Sequence, residues 1–333
     1  MGYIGFAMKD PKTLQQAIQY FSDPNRCLNY MILRRWPDGI VKCPTCGSTE
    51  VHFIPTRRLW ECKTKHPKQQ FSVKVGTVME DSAIALDKWL VAMWMVANCK
   101  NGVSSWEIHR TIGVTQKLAW FMLHRIRLSM KRRDDGTKLG SNDGGEIEVD
   151  ESFVGPTPKN MHKERKLRYN KQRQEDGTGR TIVQGILDRE ARQIRAKVMP
   201  NMKRETLQTE VLRNVKYGSA VYTDSLIAYD RLNWRYIHEV VNHAEKYVEG
   251  RVHTNGLENF WSLFKRNLRG TYVAVEPFHL ERYVDEQVFR FNNRTTKDNP
   301  LDDADRMALV ASQVTRKRLT YKELTGKTGS QAF

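Results

Sequence analysis

Glu258 and Lys265 stand seven residues apart in the stretch 252–270, VHTNGLENFWSLFKRNLRG. Seven helical residues turn about 700°, which would put this acid and base within about 20° on one face. Asn255 joins that face if the helix begins early enough, and the opposite stripe of Leu257, Phe260, Trp261, Leu263, Phe264 and Leu268 can bury it. Two more acids, Asp150 in EIEVDESFVG and Asp224 in AVYTDS, end strand candidates. Three carboxylates at one spot repel one another, and divalent metal ions resolve that conflict. Mg2+ (or Mn2+) takes oxygen ligands and keeps waters, as phosphoryl chemistry requires. A second set points to different chemistry. Cys43-Pro-Thr-Cys46-Gly47 and Cys62-Lys-Thr-Lys-His66 offer three thiolates and an imidazole, a closed tetrahedral set for structural Zn2+. The Cys-x3-His half departs from the usual Cys-x2-Cys, and His52 competes as the nitrogen ligand from a strand candidate between the halves.

These residues need elements to place them. Helical spacing runs through 11–36, broken at Asp23-Pro24, where Asp can cap and Pro can open a second helix. Cys27 reads as a core residue of this lead-in. Short strand candidates at 51–54 and 58–61 separate the two metal-binding halves. From residue 84 the period becomes helical: an apolar helix to about 101, a capping box at Ser104–Glu107, a turn at Ile112-Gly113-Val114, and a second helix capped by Thr115. Helix, Gly turn, helix is a helix-turn-helix layout. Its second helix carries Lys117, His124, Arg125 and Arg127, followed by Lys131, Arg132 and Arg133, a basic face expected to meet DNA. The polar, Gly-rich stretch 134–145 reads as a linker.

Beyond it the order is strand-Asp, two strands, helix, strand-Asp, strand, helix-Glu. That is the order of a ribonuclease-H-like mixed sheet, in which the first and fourth strands lie side by side and their acids converge. Residues 156–180 are strongly basic without periodicity and read equally as a mobile loop or insertion that could fold over nucleic acid and as a solvated surface loop. Glu151 should point away from Asp150, as alternate strand residues do, and act at one remove or face solvent. His253 could touch phosphate, bond a carboxylate or cap the helix, and Trp261 reads as core.

The whole chain agrees. Its 333 residues suffice for two or three domains, and a formal charge of +17 with pI near 9.7 favours a polyanionic partner, most simply nucleic acid. No run of eighteen apolar residues spans a membrane, and MGYIGFAMKDPK lacks the pattern of a secretory signal. Five cysteines, three of them clustered, suit a reducing compartment rather than a disulfide framework.

The motifs WPDG-x3-CPTCG at 36–47, QFSVKVGTVMEDS at 70–82, EVDESFVG at 148–155, VYTDS at 221–225 and HTNGLENFWSLFKR at 253–266 resemble the bacterial IS1595-family insertion-sequence transposases with an ISXO2-like DDE catalytic domain. The resemblance covers about residues 15–295. It implies that Asp150, Asp224 and Glu258 hold catalytic Mg2+ or Mn2+, with Asn255 as the alternative third ligand, and that Lys265 contacts a DNA phosphate near the scissile bond. It further implies binding of double-stranded DNA at the element's inverted repeats, strand cleavage, and transfer to target DNA, with a homodimer or higher assembly on DNA. The expected fold is α/β (α+β multidomain): a helical lead-in (1–38), zinc ribbon (39–80), helix-turn-helix (81–133), linker (134–145), ribonuclease-H-like catalytic domain (146–299) and a tail without assigned role (300–333). A cytoplasmic, nucleoid-associated bacterial protein follows. The competing readings are a non-catalytic transposase-derived DNA-binding regulator and another ribonuclease-H-like nuclease.

Overall fold

The computed structural model describes residues 10–155, 161–176, 179–224, 226–230, 232–241 and 253–326. The chain forms two compact units, Met1–Lys131 with Asn293–Phe333, and Arg132–Asn292.

In the first unit, α1 (Leu14–Phe21) starts at a Thr13 capping box and α2 (Pro24–Arg35) at Asp23, with proline in its first turn. Cys27 is fully buried between them and their neighbours. Strands β1 (Val51–Ile54), β2 (Leu59–Cys62) and β3 (Gln70–Phe71) form a small antiparallel sheet. Trp60 anchors it, with the rings of Phe53, Phe71 and Trp36 centred 5.1, 5.9 and 6.1 Å away. The helix α3 (Leu86–Asn98) is buried at every position from Trp89 to Ala97. A helix apolar on all sides must be surrounded, and α1, α2, α4 and α5 all pack on it. The helices α4 (Ser105–Ile112) and α5 (Gln116–Met130) are joined through Gly113, whose left-handed φ of 62° closes α4. This is the expected helix-turn-helix, with caps at Ser104 and Thr115.

The second unit holds a five-stranded sheet ordered β6-β5-β4-β7-β8. The strand β4 (Glu146–Val154) lies at its centre, antiparallel to β5 (Thr181–Asp188), which pairs with β6 (Gln193–Met199). The connection expected as a loop contains a helix, α6 (Lys163–Asp176). Its described side chains are exposed apart from a half-buried Tyr169, so no apolar stripe existed to reveal it. After α7 (Arg204–Asn214), strands β7 (Ala220–Asp224) and β8 (Ile237–Val241) run parallel to β4. Then α8 (Asn255–Asn267) and α9 (Leu280–Asn292) cover one face. Ile147, Val149, Val221, Leu207 and Val211 form the core on the α7 face. Val183, Leu187, Leu257, Phe260, Phe264 and Val284 form the other. This is the mixed sheet that the order of elements predicts.

Two segments differ from expectation. The 134–145 stretch is packed rather than a free linker: Leu139 is buried, bridges Val215 in parallel, and is followed by Gly140, whose N–H donates to Asp188 Oδ2 at 2.7 Å. Of the stretch expected as a tail, residues 327–333 lie outside the described residues, and 300–326 are packed. Its helix α10 (Asp303–Ser312) packs on α2, α3 and α5, Thr315 bridges Thr77, and α11 (Tyr321–Leu324) follows. The α10 pattern of Ala304, Met307, Val310 and Ala311 is the buried stripe that ties it there. No described helix is long and apolar enough to cross a membrane.

Candidate active site

Asp150 and Asp224 come together through strand register. Parallel β4 and β7 align Glu148 with Tyr222, and two more residues along each strand bring Asp150 level with Asp224. Alternation sends Ile147, Val149 and Val221 to the α7 core, so Asp150 and Asp224 both take the opposite face, where α8 lies. Asp150 faces Gly185 across the antiparallel pair. A Cβ at Gly185 would lie 2.8 Å from the Trp261 ring and 2.9 Å from Leu257, so glycine there lets α8 seat directly against the sheet.

That seating places the third acid. Trp261 donates its indole N–H to Asp150 Oδ2 at 2.9 Å, and Asp150 Oδ1 accepts the Glu151 N–H at 2.8 Å. Glu258 is one turn earlier on α8 and exposed, close enough for its charge to act on Asp150. Burial pushes the Asp150 carboxyl up to about 6; the Trp261 bond opposes this, and the charges of Asp224 and Glu258 add to it. Each Asp150 oxygen keeps a second lone pair for a cation. The three acids are neighbours without forming a closed cage. Among the described residues, Cys43, Cys46, Cys62 and His66 are the only group of three or more such side chains with ligand atoms within 4.8 Å of one another.

Asn255 is the first residue of α8 and exposed, three residues before Glu258, while Lys265 is half-buried two turns beyond Glu258. Glu151 lies on the other face, as alternation requires, yet it is not solvated. The Tyr229 hydroxyl donates to its Oε1, and Gln184 Nε2 donates to Tyr229 at 2.7 Å. Burial pushes Glu151 up to about 8; the Tyr229 bond opposes this, and the Asp224 and Asp150 charges add to it, which favours the protonated form. Trp261 is core, as expected, and a donor to Asp150 besides.

Sequence reasoning passed over Glu148. Its side chain is 1% exposed, accepts the Leu257 N–H of the first turn of α8 at 2.9 Å, and pairs with Arg189 Nε at 2.7 Å. Arg189 also donates to the His253 carbonyl and to His253 Nδ1 at 2.9 Å. An acid at a helix N-terminus meets both unsatisfied N–H groups and the positive end of the dipole. His253 therefore joins a latch that fixes the start of α8, and with it the height of Glu258 over Asp150. Gly256 was the available signal: a Cβ there would meet Leu187 at 2.3 Å and Glu148 at 2.9 Å. Glu148→Ala removes the closest carboxylate of Arg189, leaving Glu146 at 3.5 Å, and takes away the acceptor of the Leu257 N–H; the expected cost is about 3 kcal/mol. Urea unfolding measures it; a loss under about 1 kcal/mol would mean that the latch does not hold α8.

In the other unit, Cys43 Sγ lies 3.3 Å from His66 Nε2, and Cys46 Sγ 3.6 Å from Cys62 Sγ. Gly47, at φ 77°, lets its N–H return to the Cys43 carbonyl at 2.8 Å. His66 Nδ1 is 2.8 Å from the Pro67 carbonyl, which leaves Nε2 facing the thiolates. The four side chains fit a structural Zn2+ in ligand type and spacing. His52 is exposed on β1 and outside the group.

The expected DNA-contacting residues divide. Lys117, Lys131 and Arg132 are exposed; Lys117 Nζ lies 4.9 Å over the Tyr321 ring, and Arg132 bonds Asp135 at 2.8 Å. Arg125 is different. It is 5% exposed, donates to the Glu80 carbonyl, and stacks on Phe121 and Trp89, with His124 and Arg127 buried beside it on the same helix. Packing of α3, α4 and α10 around α5 turns these residues inward, where they cannot reach DNA.

Two domain families match this chain. Residues 143–292 match the ISXO2-like transposase domain, and residues 22–64 match the transposase zinc-ribbon domain. An uncharacterized transposase-like protein of Haemophilus influenzae is 36% identical over 101 residues, 30% of this chain and 81% of that protein. An uncharacterized protein in transposable element ISH50 of Halobacterium salinarum is 25% identical over 260 residues, 75% of this chain and 84% of that protein. With a zinc-ribbon cluster, a mixed sheet carrying paired aspartates and these matches, the chain belongs to the IS1595 family of ISXO2-like transposases.

Proposed function

We propose that this transposase binds the inverted repeats of its insertion sequence, cuts DNA strands there, and joins the freed 3′ ends to target DNA, in a reaction dependent on Mg2+ or Mn2+. The reading is supported by the parallel register of Glu148 with Tyr222, which continued by two residues sets Asp150 beside Asp224 on the α8 face, where Trp261 bonds Asp150. Asp150, Asp224 and Glu258 would hold the metal, and carboxylate oxygens are the donors that Mg2+ and Mn2+ take. When bound, the metal supplies an activated water or 3′-hydroxyl and stabilises the leaving oxygen.

The remaining roles fall to the chain. Trp261 orients the Asp150 carboxylate by its indole bond. The Glu148–Arg189 latch holds α8 in register. Lys265, on the same helix, contacts a phosphate beside the scissile bond, and Asn255 is the alternative third ligand. Lys117, Lys131 and Arg132 contact the backbone of the element ends, without Arg125. Joining two ends calls for at least a dimer on DNA.

The test is a strand-cleavage assay with the full chain and DNA carrying both element ends. Nicks at the ends that appear only with Mg2+ or Mn2+ are expected. Absence of cleavage at every candidate end, with bound zinc verified, would sink the reading.

A further inference from the structure

The second unit carries a feature that the acids do not use. Where β7 and β8 begin, Tyr217 and Trp234 are 49% and 62% exposed. Both rings carry cations on their faces. The Arg235 guanidinium carbon lies 3.8 Å from the Trp234 ring centre and 4.6 Å from that of Tyr217, and Lys138 Nζ lies 5.0 Å from Tyr217. Arg235 also donates to the Tyr217 hydroxyl.

The ladder is held in place from beneath. Gly218 N–H donates to the Arg235 carbonyl at 3.0 Å and Ile237 N–H to the Ser219 carbonyl at 3.1 Å, joining the two loops. Lys138 Nζ donates to the Leu212 carbonyl at 2.6 Å, and Tyr236 packs under Tyr217 with ring centres 6.3 Å apart. Exposed aromatic rings fixed in this way are costly to solvate and lose little entropy when covered. Lys216 is exposed beside Tyr217; Arg213, one turn back on α7, is 3.8 Å from Glu210.

We propose that the Lys138–Tyr217–Arg235–Trp234 ladder is a second nucleic-acid site of the catalytic domain, taking single-stranded DNA by stacking bases on Trp234 and Tyr217 and pairing phosphates with the cations. A base presents a π face to a ring whatever its sequence, and the flanking cations match the backbone charge. Single strand is favoured over duplex because stacking on a protein ring needs an unpaired base face. The site is distinct from the acids: Tyr217 precedes β7 and Asp224 ends it, seven residues or about 20 Å along an extended chain. It would therefore hold strand flanking a cut rather than the bond being cut. The choice of DNA as the polyanion rests on the transposase reading; the measurement below does not depend on cleavage.

Fluorescence anisotropy of a labelled 20-nucleotide oligo-dT with the full-length protein, in buffer without added divalent metal or chelator, tests it. Trp234→Ala and Tyr217→Ala should each weaken binding about 5- to 100-fold, Trp234→Phe should retain most of it, and duplex affinity should change less than about twofold. Photocrosslinking of 5-iodouracil in the same strand should map to Trp234 or Tyr217. No single-strand binding by the wild type, or unchanged binding in both alanine variants, would overturn the proposal, whether or not the protein cuts DNA. Loss of oligomeric mass in Trp234→Ala by light scattering, with oligo-dT affinity unchanged, would overturn it in favour of a protein–protein surface.

Discussion

Asp150→Asn is expected to lower metal-dependent strand cleavage at least about 1,000-fold while making the metal-free protein more stable at pH 8. The first effect follows from removing a charged oxygen ligand from the proposed metal site, where the ion contributes several kcal/mol to the barrier. The second follows from the state of that carboxyl. Burial and the charges of Asp224 and Glu258 place Asp150 at about 6, above its ordinary 3.8, so its ionised form is disfavoured in the fold. For a raised carboxyl, the stabilising contribution is complete below the unfolded value and is lost as pH rises through the folded one. Glu151, at about 8 against an ordinary 4.5, extends the same trend upward. Metal-free wild type should thus lose stability between about pH 4 and pH 8 from these two groups. Asparagine carries no charge to bury and keeps an oxygen for the Trp261 indole. The gain at pH 8, after discount for partial exposure, is on the order of 1–2 kcal/mol. Thermal melts at pH 5 and pH 8 check it: the variant should gain over wild type only at the higher pH. A variant less stable at pH 8, or one that still cuts, would contradict the assignment of Asp150. Asp224→Asn should share the catalytic loss.

Zinc removal, or Cys62→Ser, is expected to unfold the ribbon while the five-stranded sheet stays folded. The ribbon sheet has strands of only four, four and two residues. Such a sheet does not sustain itself in water, even with Trp60 packed on Phe53, Phe71 and Trp36. A structural zinc site of this kind supplies about 10–16 kcal/mol of apparent binding energy, which here would be folding energy. Elemental analysis should find one zinc per chain in the wild type. Hydrogen exchange should then show amides of β1 to β3 losing protection by orders of magnitude on chelation, with β4, β5 and β7 unchanged. Retained protection in β1 to β3 after zinc loss would show that the aromatic cluster suffices. Affinity for element ends should fall together with the ribbon if the ribbon reads them.

The latch at Glu148 bears on both results. Because it fixes α8 to β4 without touching the proposed metal site, Glu148→Gln gives a graded variant: the Leu257 acceptor survives and the charge opposite Arg189 is lost.

Much of this protein is legible in its sequence because it rests on local rules. Caps at Thr13, Asp23, Ser104 and Thr115, the left-handed Gly113, and the Cys-x2-Cys turn at Gly47 act within a few residues of themselves. Each therefore reads the same in the chain and in the fold. Strand parity likewise separated Asp150 from Glu151, and the order of elements gave the mixed sheet. What escaped depends on partners distant in the chain. Arg125, His124 and Arg127 read as a basic DNA-facing surface, and only the packing of α3, α4 and α10 around α5 turned them inward. The stretch 300–333 looked unpatterned until α10 laid a four-residue stripe on α3. Helix α6 had no apolar face to betray it. Glu148 looked like one more strand residue, and its meaning came from the α8 N-terminus, 109 residues away. The sequence by itself determined most of the elements, the Cys3His set and where along them Asp150, Asp224 and Glu258 stand, since those follow from spacing and residue chemistry. Tertiary structure decided which charges are buried and which face outward, and how the acids are held, because burial and electrostatic coupling are properties of neighbours in space.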